Sequence, residues 1–297
     1  MKKILWIFFL LPFTLFAQKD STRVLIVTAH PDDESGFAAT VYKITHELGG
    51  AVDLAVITNG EAGYKYSLLA EPYYHVKLTD EATGRKYLPT IRKKELMAAG
   101  DIIGIGKYYF FDQQDNHYSL DVDTVFKEVW NVDLVKKRLN DIISKGNYDF
   151  IFCLLPTADT HGHHKGATIL ALQTVGEMAS GKKPIILGAS VKSIGDSTDT
   201  RFTGLEKFPE TTITSGTYSY TMDRTASFGF KNALNYKIIV NWEIAEHKSQ
   251  GSMQTYMGRG DIETFWYFDQ NAPEGREKAG KLFEELAKSK PEAGGSK

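Results

Sequence analysis

Val24-Leu25-Ile26-Val27-Thr28-Ala29-His30-Pro31-Asp32-Asp33-Glu34 is the stretch on which the reading of this chain turns. Four aliphatic residues in succession describe a strand buried on both faces, as strands are inside parallel sheets. The run ends in one histidine and three acids, and helical spacing follows. Open α/β sheets hold their ligands in the crevice beyond the carboxyl ends of the strands, so this end delivers polar side chains to a site. His30 and Asp33 are three apart across a turn, a spacing that lets imidazole and carboxylate bind one metal ion, with Asp32 beside the metal and free of it. Helix capping at a strand-to-helix turn explains one acid, not a histidine with three.

Working outward, the pattern predicts a helix from Phe37 to Leu48, closed by Gly49-Gly50, and a second strand from Val52 to Thr58. Residues 62 to 88 are irregular and rich in tyrosine, and read as a long loop near the site. Tyr64, Tyr66, Tyr73, Tyr74 and Tyr87 are candidates for a sugar-stacking wall, with plain loop packing as the alternative. A helix from about Thr90 to Ile103 carries Arg92 and Glu95, a third strand spans Lys107 to Phe111, a helix Val132 to Ser144, and a fourth strand Asp149 to Leu155.

That fourth strand ends in a second polar burst, Thr157-Ala158-Asp159-Thr160-His161-Gly162-His163-His164-Lys165-Gly166-Ala167, with a helix expected from Ala167 to about Met178. In a parallel sheet this turn shares an edge with the turn carrying His30 and Asp33, so two strand ends converge on one crevice. Pro184 to Val191 reads as a further strand, residues 192 to 225 as edge strands and loops capping the site, and Lys237-Ile238-Ile239-Val240 as a last short strand. A helix with Glu243, Glu246 and His247 follows, and another spans Gly275 to Lys288. The predicted fold is α/β, a Rossmann-like, mostly parallel sheet with helices on both faces, forming a single domain over residues 18–297 with C-terminal capping segments.

Composition narrows the function. A net charge of −2 over 297 residues supplies no basic field for nucleic acid. The first strand-to-helix turn lacks G-x-G-x-x-G, and Gly104-Ile105-Gly106 is only a lone G-x-G, so no dinucleotide is expected. Lys2 and Lys3, the apolar run Ile4 to Phe16 and Ala17 read as a signal peptide over residues 1–17, too short for a comfortable span, with an uncleaved anchor as the alternative; the expectation is export to a periplasmic or extracellular compartment. The sole cysteine, Cys153, lies in an apolar strand and reads as a small hydrophobe.

Two imidazole nitrogens and one carboxylate oxygen are a ligand set of catalytic zinc, which keeps a position open for water and lowers that water's pKa towards ~7. The candidate ligands are His30, Asp33 and one or two of His161, His163 and His164. Asp32 suits the base beside the water, and a histidine off the metal suits the donor to the oxyanion.

Together, Ala29-His30-Pro31-Asp32-Asp33-Glu34 and His161-x-x-His164 resemble the PIG-L/LmbE-like family of zinc-dependent de-N-acetylases. The likeness extends to Thr58-Asn59-Gly60-Glu61, to Arg92-x-x-Glu95 with Ala98 and Ala99, and to Ala245-x-His247-x-Ser249-Gln250, covering most of residues 22 to 255. It implies a Rossmann-type domain that removes acetyl or other acyl groups from amino sugars and their conjugates. It implies His30, Asp33 and His164 as ligands of one zinc (iron being the alternative metal), Asp32 as the base and His161 as the oxyanion donor. Arg92 and Asp115 fall near family positions that contact sugar hydroxyls, although Arg92 paired with Glu95 on a helix surface is an equal alternative. Many members have Pro-Asp where this chain has Gly162-His163, which makes His163 a competing ligand or a mimic of the missing polar group.

The expectation is an exported zinc-dependent hydrolase acting on the N-acyl amide of an N-acetylglucosamine-type sugar or glycoconjugate. The alternatives are a metal-containing carbohydrate-binding protein without turnover and an amidase for a non-sugar conjugate. A two-metal phosphate esterase needs more bridging carboxylates than the chain assembles.

Overall fold

The computed structural model describes residues 21–179, 181, 183–196, 202–214 and 219–291, so the signal-peptide reading of residues 1–17 lies outside the described residues. In chain order the strands are β1 (Arg23–Thr28), β2 (Ala51–Thr58), β3 (Ile105–Gln113), β4 (Phe150–Leu154), β5 (Ile185–Lys192), β6 (Ser219–Asp223), β7 (Ser227–Phe228), β8 (Leu234–Asn235) and β9 (Ile262–Tyr267). Seven of them form one sheet in the order β3-β2-β1-β4-β5-β9-β6, while β7 and β8 make a small separate ribbon. Pairing is parallel from β3 through to β5 and antiparallel where β9 joins β5 and β6.

The helices are α1 (Ala38–Tyr42), α2 (Glu71–Tyr74), α3 (Glu81–Ile103), α4 (Val122–Thr124), α5 (Val132–Gly146), α6 (Gly162–Glu177), α7 (Tyr236–Glu246), α8 (Gly251–Gln254) and α9 (Gly275–Lys288). Alternate residues of β1 enter two cores, because successive strand side chains point to opposite faces. Val24 and Ile26 pack with α1, α3, α7 and α9; Leu25 and Val27 pack with α5 and α6. The α/β architecture with helices on both faces is therefore as the sequence predicts.

The strand order reverses between β1 and β4, and a crevice opens at such a reversal. The two polar bursts leave the sheet there, one from each strand.

Several boundaries differ from the expectation. Helix α3 begins at Glu81, not Thr90, and runs through Pro89. An interior proline costs about 3 kcal/mol. The Asp80 cap on the Thr83 N–H and the burial of Leu88, Arg92, Glu95 and Leu96 outweigh that cost. The irregular segment before it holds short helical turns and α2. Lys237 to Val240 is not a strand but the first half of α7, capped by Asn235 on the Lys237 N–H. A short apolar run has no period of its own with which to separate the two states. Strand β9 was not anticipated at all; Thr264-Phe265-Trp266-Tyr267 gains its state from β5 and β6 on either side.

Candidate active site

Asp33 is the most firmly oriented group at the end of β1. Its Oδ2 accepts the backbone N–H groups of Ala29 at 3.0 Å and His30 at 2.8 Å. Its Oδ1 is thereby turned outward, 3.0 Å from Nε2 of His164. That same Nε2 lies 3.0 Å from Nδ1 of His30, which is 3.7 Å from Asp33 Oδ2. Burial works to raise the Asp33 carboxyl, but the charges and hydrogen bonds of His164 and His30 hold it well below the usual range. Burial works to lower the His30 imidazole, and the hydrogen bond and charge of Asp33 with the charges of Asp115 and Asp32 push it up to about 9.

These three side chains fit a divalent ion. Two imidazole nitrogens and one carboxylate oxygen face one another at ligand–ligand separations suited to an ion roughly 2 Å from each. Two nitrogens 3.0 Å apart, backed by an anion and raising the affinity of the site for positive charge, call for a proton or a cation between them. His164 is steadied on its far side by Thr160 Oγ1, 3.2 Å from Nδ1.

His163 stands behind the triad. It is completely buried, its Nδ1 lies 3.1 Å from His30 Nε2 and 3.3 Å from Asp115 Oδ1, and its Nε2 lies 3.1 Å from Asn116 Oδ1. It therefore touches the opposite edge of the His30 ring from the one facing His164 and Asp33. A partner on the second nitrogen fixes tautomer and ring orientation of a metal-ligating histidine. Asp115 serves the same pair: its Oδ1 is 3.9 Å from His30 Nε2, and its Oδ2 accepts the Ala62 N–H at 3.2 Å. Burial raises its carboxyl, yet His163 and His30 bring it down well below the ordinary value.

Asp32 and Arg92 form the other half. The Arg92 guanidinium, buried on α3, donates Nη1 to the carbonyl of Gly60 and Nη2 to that of Pro31, both at 2.5 Å, with Nη2 also 2.9 Å from Asp32 Oδ2. It does not pair with Glu95, which instead accepts the N–H and hydroxyl of Ser249 and the hydroxyl of Tyr74. Gly60 is required for this approach, since a Cβ there meets Arg92 Nη1 at 2.0 Å and its φ is +68°. Burial raises the Asp32 carboxyl, opposed by the charge of Arg92 and reinforced by Asp33.

His161 occupies the N-cap of α6, and its Nδ1 accepts the N–H of His163 at 2.9 Å. Burial, with His30, His163 and His164 nearby, lowers its pKa to about 2. The ring is neutral, with its proton on Nε2.

His30, Asp32, Asp33, Arg92, Asp115, His161 and His164 all line one cavity of about 580 Å³. His163 does not. Of the tyrosines singled out earlier, Tyr64 and Tyr66 line this cavity, whereas Tyr73, Tyr74 and Tyr87 do not; Tyr118 and Tyr256 join it instead. Tyr118 follows the end of β3, where Asp112-Gln113-Gln114-Asp115-Asn116 is a third polar burst on the same sheet edge and marks the segment in the sequence. Cys153 is fully buried in β4, and burial pushes its thiol up, which leaves it no role as a nucleophile.

Fold and site together define an α/β protein whose topological switch point gathers His30, Asp33 and His164, a group that could hold a metal ion. The profile of the PIG-L family, described as GlcNAc-PI de-N-acetylase, matches residues 25–175, and the chain belongs to this family. A probable N-acetyl-α-D-glucosaminyl L-malate deacetylase 2 of Bacillus cereus is 24% identical over 169 residues, 57% of this chain and 68% of that one. Among solved structures, N,N'-diacetylchitobiose deacetylase from Pyrococcus horikoshii is 22% identical with a TM-score of 0.42, and the match covers 57% of this chain and 61% of that one, under two thirds of its length. The A40926 pseudoaglycone deacetylase Dbv21 matches at 16% identity and a TM-score of 0.54, covering 85% of this chain and 99% of that one. The 4-carboxy-2-hydroxymuconate hydratase GalB of Pseudomonas putida matches at 16% and 0.50, covering 82% and 95%. A deacetylase and a hydratase thus share the fold, and the site must decide the chemistry.

Proposed function

We propose that this protein is a zinc-dependent hydrolase that removes the N-acetyl group from an N-acetylglucosamine-type sugar or glycoconjugate. The observation that carries the reading is the convergence of His30 Nδ1, Asp33 Oδ1 and His164 Nε2, with Asp32 and His161 facing the same cavity. The curated relative, named for an N-acetylglucosaminyl conjugate, supports the substrate class.

When bound by His30, Asp33 and His164, a zinc ion supplies Lewis acidity that activates a water and polarises the amide carbonyl. Asp32 is the base that accepts the water's proton and returns it to the departing amine nitrogen, so the C–N bond breaks with acetate and free amine as products. Its link to Arg92 keeps the carboxylate turned to the cavity. The Nε2–H of His161 is the donor for the oxyanion, and needs no protonation to serve. Asp115 acts by holding His30 and His163, rather than on sugar hydroxyls alone. Tyr64, Tyr66, Tyr118 and Tyr256 offer faces for the sugar ring and its substituent.

Acetate release from N-acetylglucosamine, its oligomers and glycosides tests the reading, run as purified, after chelation and after zinc is restored. Release that stops with the chelator and resumes with zinc is the expected result. No release from any N-acetylated sugar by protein carrying one zinc per chain would overturn it.

Export is part of the same proposal and rests on Lys2, Lys3 and the run Ile4 to Phe16. A secreted chain whose mass begins at Gln18 is the expected outcome; a cell-retained chain of full mass would count against it.

A further inference from the structure

We infer that Glu34 and His247 form a buried clamp that sets the backbone of Asp32, and so positions its carboxylate in the cavity. The inference rests on the reading of Asp32 as the base.

Asp32 has φ of 139°, a region that residues with a side chain rarely adopt. Such a conformation persists only where surrounding contacts impose it. Two sets of contacts do so. Arg92 holds the carboxylate and the preceding carbonyl of Pro31. On the other side the Asp32 N–H donates to Glu34 Oε2 at 3.0 Å. The second oxygen of Glu34, Oε1, is 2.6 Å from Nε2 of His247, which also stands 3.4 Å from Glu243 Oε1. Glu34, Glu243 and His247 are all completely buried. His247 is the C-cap of α7, so the clamp runs from the end of that helix to the base.

A second metal is a poorer account of this cluster. His247 Nε2 and Glu34 Oε1 stand closer together than the 3.0 Å between the facing atoms of His30, Asp33 and His164, too close for two tetrahedral ligands each about 2 Å from one ion. The Nε2–Oε1 distance of 2.6 Å is that of a charge-assisted hydrogen bond. The role of His247 is therefore positional; it does not line the cavity.

The test compares the parent with His247→Ala, His247→Gln and Glu34→Gln in two measurements. The first is backbone amide exchange in the metal-free protein, resolved by residue. In His247→Ala the Asp32 amide is expected to exchange about tenfold faster or more, the scale of one lost hydrogen bond to a charged group. The amides of Ala29 and His30, bonded to Asp33 Oδ2, provide an internal control and stay at the parent rate. The second is steady-state kinetics: kcat falls by about tenfold or more while KM stays within about twofold and zinc content is unchanged. His247→Gln, which keeps an N–H donor, recovers part of both. Glu34→Gln, with one accepting oxygen for two donors, behaves like His247→Ala and serves if the alanine variant does not fold.

An Asp32 amide exchanging at the parent rate, or acceleration spread equally over β1, would overturn the inference. So would a change in KM alone. If the parent hydrolyses no sugar amide, the proposed function fails while the exchange result still decides the clamp.

Discussion

The Nδ1 of His161 accepts the backbone N–H of His163 across 2.9 Å, which leaves the proton of this cavity-lining ring on Nε2. One backbone hydrogen bond at a helix N-cap thus selects a tautomer, and the tautomer selects a role. With its pKa down at about 2, from burial first and from the neighbouring histidines second, His161 is a neutral donor throughout the working range.

His161→Ala is therefore expected to lower kcat by about 10²–10³-fold, the size of a lost oxyanion donor, with zinc retained. The pH profile of kcat/KM between roughly pH 5 and 9 keeps the same limbs at the lower rate. A limb present in the parent and absent from the variant would show that His161 titrates in that range, contrary to its neutral state.

Asp32→Asn should keep its zinc and lose turnover by about 10²–10⁴-fold, the range of general-base catalysis. Metal analysis beside kcat checks this. Near-parental turnover in a zinc-replete variant would move the base to another residue.

The ligand assignment separates two adjacent histidines. His164→Ala should lose the metal, because Nε2 of His164 faces both His30 Nδ1 and Asp33 Oδ1. His163→Ala should retain it at affinity reduced by about 10–100-fold, as for a group that orients a ligand. Zinc content after dialysis distinguishes them, and the reverse ranking would place His163 on the metal.

Metal uptake should expel a proton. In the metal-free protein burial draws the His30 pKa down, but Asp33, Asp115 and Asp32 raise it to about 9, so His30 is charged at neutral pH. Zinc needs the neutral ring, so apparent affinity rises about tenfold per pH unit up to about 9 and then levels. The same raised pKa stabilises the metal-free fold in full below pH 6.5, and that contribution is lost as pH rises through about 9. Chelator competition from pH 6.5 to 9 measures the slope; an affinity independent of pH would contradict a protonated His30.

Arg92→Lys should destabilise the protein by about 3 kcal/mol, since one ammonium does not reproduce the fork to Pro31, Gly60 and Asp32 and leaves buried acceptors exposed to no partner. Gly60→Ala should act on the same contact, because its Cβ meets the guanidinium. For a domain of this size a loss of ~3 kcal/mol lowers Tm by roughly 10 °C. Thermal melts of the two variants and their double mutant should show losses that do not add.

Much of the site was legible because β1 and β4 each end in an abrupt polar burst, and a parallel sheet brings such ends to one edge. That logic brings His30 and Asp33 to the histidine cluster, whereas His164 in particular was implied by the family resemblance; the three side chains stand within 3.0 to 3.7 Å of one another. Arg92 was seen but its partner was not. Helical spacing offered Glu95, three residues on, as an even alternative to a sugar-contacting role, whereas the guanidinium turns inward to Asp32. The sequence also left His163 open as a ligand, because residues two apart at a helix start differ in direction only once α6 is docked.

The amino-acid sequence by itself determined the alternation of apolar runs and helical periods, and with it a mostly parallel sheet whose polar side chains gather at the carboxyl ends of β1, β3 and β4. These are local properties, carried by side-chain period and by abrupt changes of polarity. Only the tertiary structure decided what reaches the site from afar. Glu263 on β9 accepts the Ala39 and Thr40 N–H groups to start α1, and His247 at the end of α7 closes on Glu34 beside the base. Both contacts span more than 200 positions of chain. No period or local motif encodes such a pairing; it exists because burial of charged groups is tolerated only where a partner is delivered to them.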